Sequence, residues 1–177
     1  MISNELILLR LPEMQDLDTL YSWENNKKNW GVSGTTSAFS KETIVKFILS
    51  YHDLIVHKQL RLMIVLKETN ELIGTLDLFE YSQEHHRVGL GVLIGEEKDR
   101  KKRYAFEAIN LLMANAAEKW GVKQLHASMF TDNEASYQLF LKAEFKEIGI
   151  RKNWYKLNEK WHHERLMQYI YGEEKEN

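Results

Sequence analysis

Four consecutive cations, Arg100-Lys101-Lys102-Arg103, stand immediately before an amphipathic segment that starts at Tyr104. A helix N-terminus carries roughly half a positive charge and leaves its first N–H groups unpaired, so cations there cost energy and an anion is welcome. No Ser, Thr or Asn directly precedes Tyr104 to cap the segment, and Asp99 is the nearest candidate. A bound phosphate group would resolve both difficulties at once. The alternative is that four basic side chains simply spread into water, but their place between a glycine-bearing strand and a helix start favours the phosphate site. Other chemistries are weaker. His85-His86 and His162-His163 are adjacent pairs whose members face opposite sides of a strand, which makes them poor metal ligands. There is no His-Glu-x-x-His, Walker loop or Gly-x-Gly-x-x-Gly, and no metal is expected. The chain has no cysteine, which removes disulfides, thiolate metal sites and cysteine nucleophiles.

The elements that must position this cluster are readable around it. Val88-Gly89-Leu90-Gly91-Val92-Leu93-Ile94 alternates as a strand does, and glycines inside a strand mark a bulge or a close approach to the backbone. After the loop 95–103, Ala105, Ala108, Ile109, Leu112, Ala116 and Trp120 form one helical stripe opposite Glu107, Asn110 and Glu118. Gly121 then ends the helix. Elsewhere, apolar runs predict strands over 6–11, 60–66, 72–81, 124–130, 145–155 and 161–171. Helices are predicted to open at Pro12 and Glu13 and run to Trp23, to run from Ser40 to Tyr51, and to span 133–143 under an Asn133 cap. Between the first two helices lies a long polar loop, 24–40, of the kind that often carries function. The order β-α-α-β-β-β-α-β-α-β-β describes a mixed α/β domain with helices packed on a twisted sheet.

A chain of 177 residues with 44% hydrophobic content is most simply one domain with a real core, here residues 1–171, followed by a charged tail over 172–177 that is expected to fray. A net charge of −2 and a pI near 6.4 argue against a dedicated nucleic-acid binder. The first eleven residues contain Glu5 and no long apolar run, so they do not read as a signal peptide, and no stretch approaches the ~20 apolar residues of a membrane span. These features predict a soluble, cytoplasmic protein without membrane or nucleic-acid partners.

Two segments carry a family likeness. Asp99-Arg100-Lys101-Lys102-Arg103-Tyr104-Ala105-Phe106-Glu107-Ala108 stands where one family has an Arg/Gln-x-x-Gly-x-Gly/Ala loop followed by Tyr-Ala-x-Glu-Ala. The run from Asn133 through Ser136, Leu139, Phe140 and Lys142 to Phe145 is similar to its Asn-x-x-Ser/Ala-x-x-Leu-Tyr/Phe-x-Lys-x-Gly-Phe motif. The chain resembles the GNAT superfamily of N-acetyltransferases over essentially its whole length. Glu80 and the His85-His86-Arg87 turn look most like spermidine N-acetyltransferases, whereas Ser136 is closer to ribosomal-protein N-terminal acetyltransferases. The resemblance implies an α+β, GNAT-like twisted sheet, mixed but largely antiparallel, of about seven strands flanked by about four helices. It implies acetyl-coenzyme A as acetyl donor, no metal, and a small amine or a protein N-terminus as acceptor. The family often forms dimers or larger rings, so a homo-oligomer is an open expectation. Four departures stand out: Lys101, Arg103 and Glu144 replace usual glycines, and Phe140 lies where many members have a tyrosine thought to protonate the departing thiolate. Cations in place of glycines imply a reshaped loop in which side chains partly replace backbone contacts.

Roles follow from that resemblance and from what the reaction needs. The amine, with a pKa of roughly 10.4 when it is Lys-like, must lose a proton before it attacks. Glu80, at a strand end beside the expected crevice, is the first candidate base, against the plainer reading of a solvent-facing glutamate. Backbone N–H groups near Val92, Leu93 and Ile94 are candidates to stabilise the oxyanion. For the acid, Ser136 or Tyr137 lies one turn before Phe140, with Tyr155 further behind. The coenzyme is expected on Val92, Leu93, Ile94, Arg100, Lys101, Lys102, Arg103, Tyr104, Ala105, Asn133, Ser136, Phe140 and Lys142, and the acceptor on Glu24, Trp30, Glu80 and His86. The implied reaction is direct attack in a ternary complex on a polyamine such as spermidine. The alternatives are a ribosomal-protein-type N-terminal acetyltransferase, or a degenerate acyl-coenzyme A-binding, regulatory module without catalysis, the last motivated by Phe140 and the missing glycines.

Overall fold

Strand-length apolar runs joined by tight polar turns produce an antiparallel meander, and one helical crossover interrupts it. The computed structural model describes residues 1–33, 37–50, 53–157 and 159–172, with 31–33 described in backbone only. Tyr51 and the tail residues 173–177 lie outside the described residues, as does part of the polar segment 24–40. The sheet has eight strands in the order β1-β2-β3-β4-β5-β6-β8-β7. These are β1 (Ile2–Ser3), β2 (Ile7–Arg10), β3 (Leu60–Leu66), β4 (Leu72–Ser82), β5 (Arg87–Ile94), β6 (Gln124–Phe130), β7 (Lys146–Leu157) and β8 (Lys160–Ile170). The helices are α1 (Leu17–Glu24), α2 (Lys27–Ser33), α3 (Lys41–Ser50), α4 (Leu54–His57), α5 (Tyr104–Trp120) and α6 (Glu134–Lys142).

The mixed, largely antiparallel sheet agrees with the expected class, but eight strands and six α-helices exceed the expected seven and four. The extra elements are β1, α2 and α4, all too short or too polar to show a period. Two residues suffice for β1 because Ile2 and Ser3 pair with Leu9 and Leu8. Helix α4 is started by Asp53, whose carboxylate accepts from the N–H groups of Ile55 and Val56. The first helix begins later than Pro12: Glu13 and Asp16 form a capping box around a single 3₁₀ turn, and α1 starts at Leu17. Asp16 is buried there because Arg10 holds it with two bonds of 2.7 and 2.8 Å.

Period-two alternation gives the sheet two different faces. On one, Leu76, Leu78, Val88 and Leu90 pack with Ala108, Ile109 and Leu112 of α5 in the main core. On the other, Met63 and Val65 pack with Leu20 and Trp23 of α1 and Ile44 and Ile48 of α3. Gly121 closes α5 with φ +64°, donating to the carbonyl of Ala117, as its position in the sequence predicts.

One junction departs from the meander. Strands β5 and β6 run parallel and pair only at Arg87–Gln124, Val88–Leu125 and Gly89–His126. Beyond those pairs β5 follows β4 to Ile94, while β6 follows β8 to Phe130. The strands therefore diverge, and a wedge opens between them. Among the described residues no helix is long and apolar enough to cross a membrane.

Candidate active site

The wedge holds three cavities that share walls and form one crevice. The first, about 560 Å³, lies between the end of β5, the start of α5 and the start of α6. The second is a throat of about 100 Å³. The third, about 410 Å³, opens toward α3, β7 and β8.

The wide end is built to meet an anion. Tyr104, Ala105 and Phe106, the first three residues of α5, line it, and the residue that caps the helix, Arg103, makes no side-chain capping bond. Their N–H groups precede the first intrahelical bond, from Glu107 N–H to the Arg103 carbonyl. Asp99, the nearest candidate cap, instead turns inward: it is buried and accepts from Lys102 Nζ at 3.2 Å. Lys28, Arg100, Lys101, Arg103 and Lys142 line the same cavity against the one carboxylate of Asp99. Arg100 is anchored by donating to Asn29 Oδ1 at 3.2 Å, and Lys142 lies 4.5 Å over the ring of Phe106. Lys101 and Arg103 have left-handed backbones, φ +61° and +69°, the region that glycine adopts most freely. Glu144 does the same at φ +65°. Unpaired N–H groups, helix dipole and surrounding cations together suit a diphosphate.

The throat has apolar walls of Trp23, Leu90, Val92, Leu93, Met129 and Phe140, with Asn133 and Ser136 at its wide end. Asn133 caps α6 by accepting from Ser136 N–H at 3.1 Å. Past Gly89, β5 registers no further pairs with β6 among the described residues, so this stretch offers backbone groups to the crevice. Of the two strand glycines, Gly89 makes room for the ring of Phe79, which a Cβ would strike, whereas Gly91 faces the crevice.

At the narrow end the charges reverse. Arg61 on β3 grips Asp77 on β4 with Nε–Oδ1 2.6 Å and Nη2–Oδ2 3.0 Å, and its third donor meets Glu24 at the end of α1. Burial alone would lower the Arg61 pKa, but the two carboxylates outweigh it and the net shift is upward. Glu164 on β8 is buried, accepting from Arg151 at 2.9 Å and from the Tyr155 hydroxyl at 3.1 Å. Burial, and then the charge of Glu164, raise the Tyr155 pKa. Phe47, Phe79, Phe130 and Tyr155 supply aromatic walls. Among the described residues there is no group of three or more His, Asp or Glu arranged to hold a metal.

The residues expected from sequence divide. Val92, Leu93, Ile94, Arg100, Lys101, Arg103, Tyr104, Ala105, Asn133, Ser136 and Lys142 all line the wide cavity, while Phe140 and Glu24 line the throat. Tyr155 lines the narrow cavity. Lys102 is not among the lining residues and instead pairs with Asp99, which is. Glu80 does not line the crevice: a bulge between Phe79 and Ser82 gives it φ +52°, and its side chain is 77% exposed with the carboxylate 3.9 Å from His126 Nε2. His86 sits at the closed end of the wedge, its Nδ1 2.8 Å from the Gly121 carbonyl. Trp30 is tied to the Glu24 carbonyl at 2.7 Å and is absent from the cavity walls. Tyr137 points to the other side of α6, where Arg165 covers its ring at 3.7 Å; burial and a hydrogen bond with Glu147 raise its pKa. Sequence reasoning passed over Arg61, Asp77, Glu164 and Trp23. Arg61 did carry a signal, as the single charge inside the otherwise apolar β3.

Comparison with known proteins places this geometry. The chain matches the family model described as acetyltransferase (GNAT) domain over residues 6–146. A protein of Bacillus subtilis (strain 168), named uncharacterized N-acetyltransferase YoaA, is 28% identical over 154 residues, 86% of each chain. The crystal structure of spermidine N-acetyltransferase from Vibrio cholerae in complex with CoA and spermine shares the fold with a TM-score of 0.83 at 18% identity, covering 94% of this chain and 96% of that one. Ribosomal-protein-S5-alanine acetyltransferase from Vibrio fischeri gives 0.82 at 19% identity, covering 98% of each chain.

Proposed function

The chain belongs to the GNAT family of acetyltransferases, and on that footing we propose that it transfers acetyl from acetyl-coenzyme A to a primary amine of a small polyamine such as spermidine. The observation that carries this reading is the polarity of the crevice. Its wide end presents cations and free N–H groups, while Asp77 and Glu164 at the narrow end and Glu24 in the throat set three carboxylates against Arg61 and the Arg151 that pairs with Glu164. An anionic donor and a cationic acceptor are each drawn to opposite ends, and they meet at the throat. Two solved structures of this fold bear names that point to amines, one on a polyamine and one on a ribosomal protein.

When bound, the coenzyme supplies an acetyl group activated as a thioester. The N–H groups of Tyr104, Ala105 and Phe106, with Arg100, Lys101 and Arg103, hold its diphosphate. Lys142 and Asn133 flank it. Asp77 borders both the throat and the narrow cavity, so it holds the acceptor ammonium and takes its proton, the role expected of Glu80 from sequence. Glu164 and the aromatic walls hold the rest of the polycation. Backbone N–H groups of 92–94 stabilise the developing negative oxygen, a contribution worth about 10²–10³-fold per donor in comparable sites. The Ser136 hydroxyl holds the proton that the departing sulfur needs, since Phe140 has none to give.

The test is calorimetric titration with acetyl-coenzyme A, followed by thiol-release assays with spermidine, spermine, diamines and N-terminal peptides. Saturable turnover with polyamines is expected. No binding at millimolar coenzyme would overturn the enzyme reading, and turnover with peptides alone would replace the polyamine by a protein N-terminus.

A further inference from the structure

Thr75 on β4 lines the throat and is 1% exposed, yet its Oγ1 meets no hydrogen-bond partner among the described residues. A hydroxyl buried without a partner is destabilising, because nothing replaces the water it gave up. The other two hydroxyls on the throat walls are not in this position: Ser128 is exposed and Ser136 half-buried. The groups beside Thr75 leave it unsatisfied. In the ladder it lies opposite Met63 on β3 and Leu93 on β5, apolar residues that pack in the second core cluster with Trp23. The indole N–H of Trp23 is already given to Glu96 at 3.0 Å, and the Asp77 carboxylate is gripped by Arg61.

Position along β4 says what the hydroxyl can meet. Residues two apart share a strand face and stand about 7 Å from each other, so Thr75 lies one such step from Asp77. Asp77, opposite Gly91, borders the throat and the narrow cavity. Thr75 borders only the throat, opposite Leu93, which also lines the wide cavity. From the narrow end inward the order is carboxylate, hydroxyl, coenzyme cavity. An amine held at Asp77 and a thioester entering from the wide end therefore bring the acetyl carbonyl beside Thr75. As the amine nitrogen bonds to the carbonyl carbon, one C=O electron pair moves onto oxygen. It returns when the carbon–sulfur bond breaks and sulfur leaves with that bond's pair. Of the two protons that the ammonium loses, one goes to Asp77 and the other replaces, at Ser136, the one that the sulfur takes. A hydroxyl beside the oxygen donates a hydrogen bond that strengthens as charge grows there, and it keeps its own proton throughout.

We infer that the Thr75 hydroxyl is a further catalytic group, a hydrogen-bond donor to the acetyl carbonyl oxygen during transfer. The inference rests on the reading of the throat as the place where acetyl donor and amine meet. Thr75→Val tests it, since valine keeps the branched shape and removes the hydroxyl, and Thr75→Ser returns the hydroxyl. Four measurements are made on the wild type and both variants: calorimetric binding of acetyl-coenzyme A, thiol release with spermidine, thermal melts of the free protein, and isotope-edited infrared spectra of the bound thioester carbonyl. Thr75→Val should lower kcat by about 10²–10³-fold with the acetyl-coenzyme A Kd unmoved, and Thr75→Ser should recover most of that loss. In Thr75→Val the carbonyl band should move to higher frequency, and the free protein should melt at or above the wild-type temperature because the unpaired hydroxyl is gone. The infrared and melting results decide the matter even where spermidine is not turned over. Wild-type kcat in Thr75→Val would overturn the inference. So would an unmoved carbonyl band, or a variant that fails to fold or melts below the wild type, because the hydroxyl would then serve the structure alone. Failure of the wild-type protein to bind acetyl-coenzyme A would overturn the reading of the crevice itself, and this inference with it.

Discussion

Lys101 and Arg103 hold backbone conformations that glycine adopts freely and L-residues resist, so the loop should be relieved by the glycines it lacks. Consider each position replaced by glycine and, in parallel, by alanine. Both substitutions remove the same cation, so the comparison between them isolates the backbone. At φ +61° and +69° the Cβ of alanine crowds the following carbonyl at a cost of about 1–2 kcal/mol. Glycine avoids that cost but loses about 0.5–1 kcal/mol more chain entropy on folding. The difference favours glycine by about 0.5–1 kcal/mol per site, or about 1–2 kcal/mol for the pair if the two sites add. For a domain of this size each kcal/mol moves Tm by about 2–4 °C, so the double glycine variant should melt about 2–8 °C above the double alanine variant. Differential scanning calorimetry reads this directly. Alanine variants as stable as glycine variants at both positions would refute the reasoning, because the strain would then be absent or taken up elsewhere. Either substitution should also weaken coenzyme binding and flatten its salt dependence, since two cations leave the wide cavity.

Other expectations can be tested independently. Burial lowers the His126 pKa below 6.5, with Glu80 opposing the shift and Arg87 and Arg151 adding to it. The unfolded chain then binds a proton that the folded one resists, so stability should fall as pH drops through about 6.5 toward the folded value. Urea melts between pH 7.5 and 5.5 should show the decline, and His126→Gln should reduce it. Glu80→Gln should move the imidazole midpoint, followed by NMR, further down; an unmoved midpoint would reject the pairing. Gly95→Ala drives a Cβ into the Trp23 indole and should cost about 1–3 kcal/mol, read as a lower Tm. Ser136→Ala should lower kcat by about 10²-fold, and adding Phe140→Tyr should restore part of that loss in the thiol-release assay; a Ser136→Ala enzyme with normal kcat would remove the serine from its role.

How much of this was legible in the sequence depended on whether the signal was local. The stripe of α5, its Gly121 stop, the Asn133 cap and the strand over 124–130 each follow from residues close together in the chain, and each was readable. Much of the wide end comes from two short segments, the loop into α5 and the start of α6, so most of its lining was named, whereas Lys28 and Asn29 arrive from the distant α2 and were not. The narrow end is assembled from α1, β3, β4 and β8, and no local pattern announces that Glu24, Arg61, Asp77 and Glu164 converge. Only register does so, for Arg61 lies directly opposite Asp77 in the β3–β4 ladder. Glu80 misled because position along a strand was legible and the bulge was not: the register shift after Phe79 turns its carboxylate toward His126. Tyr137 misled for a simpler reason. One helical position separates it from Ser136, roughly 100° of rotation, which is enough to leave the crevice.

The central claim is that a carboxylate at the junction of throat and narrow cavity binds and deprotonates the amine. Asp77→Asn tests it most directly, because the amide keeps the shape while removing the charge. Steady-state thiol release with spermidine should show kcat lowered by about 10²-fold and a raised KM for the amine, with the acetyl-coenzyme A Kd unchanged by calorimetry. Wild-type kcat and KM for the amine in a folded Asp77→Asn protein would contradict the account.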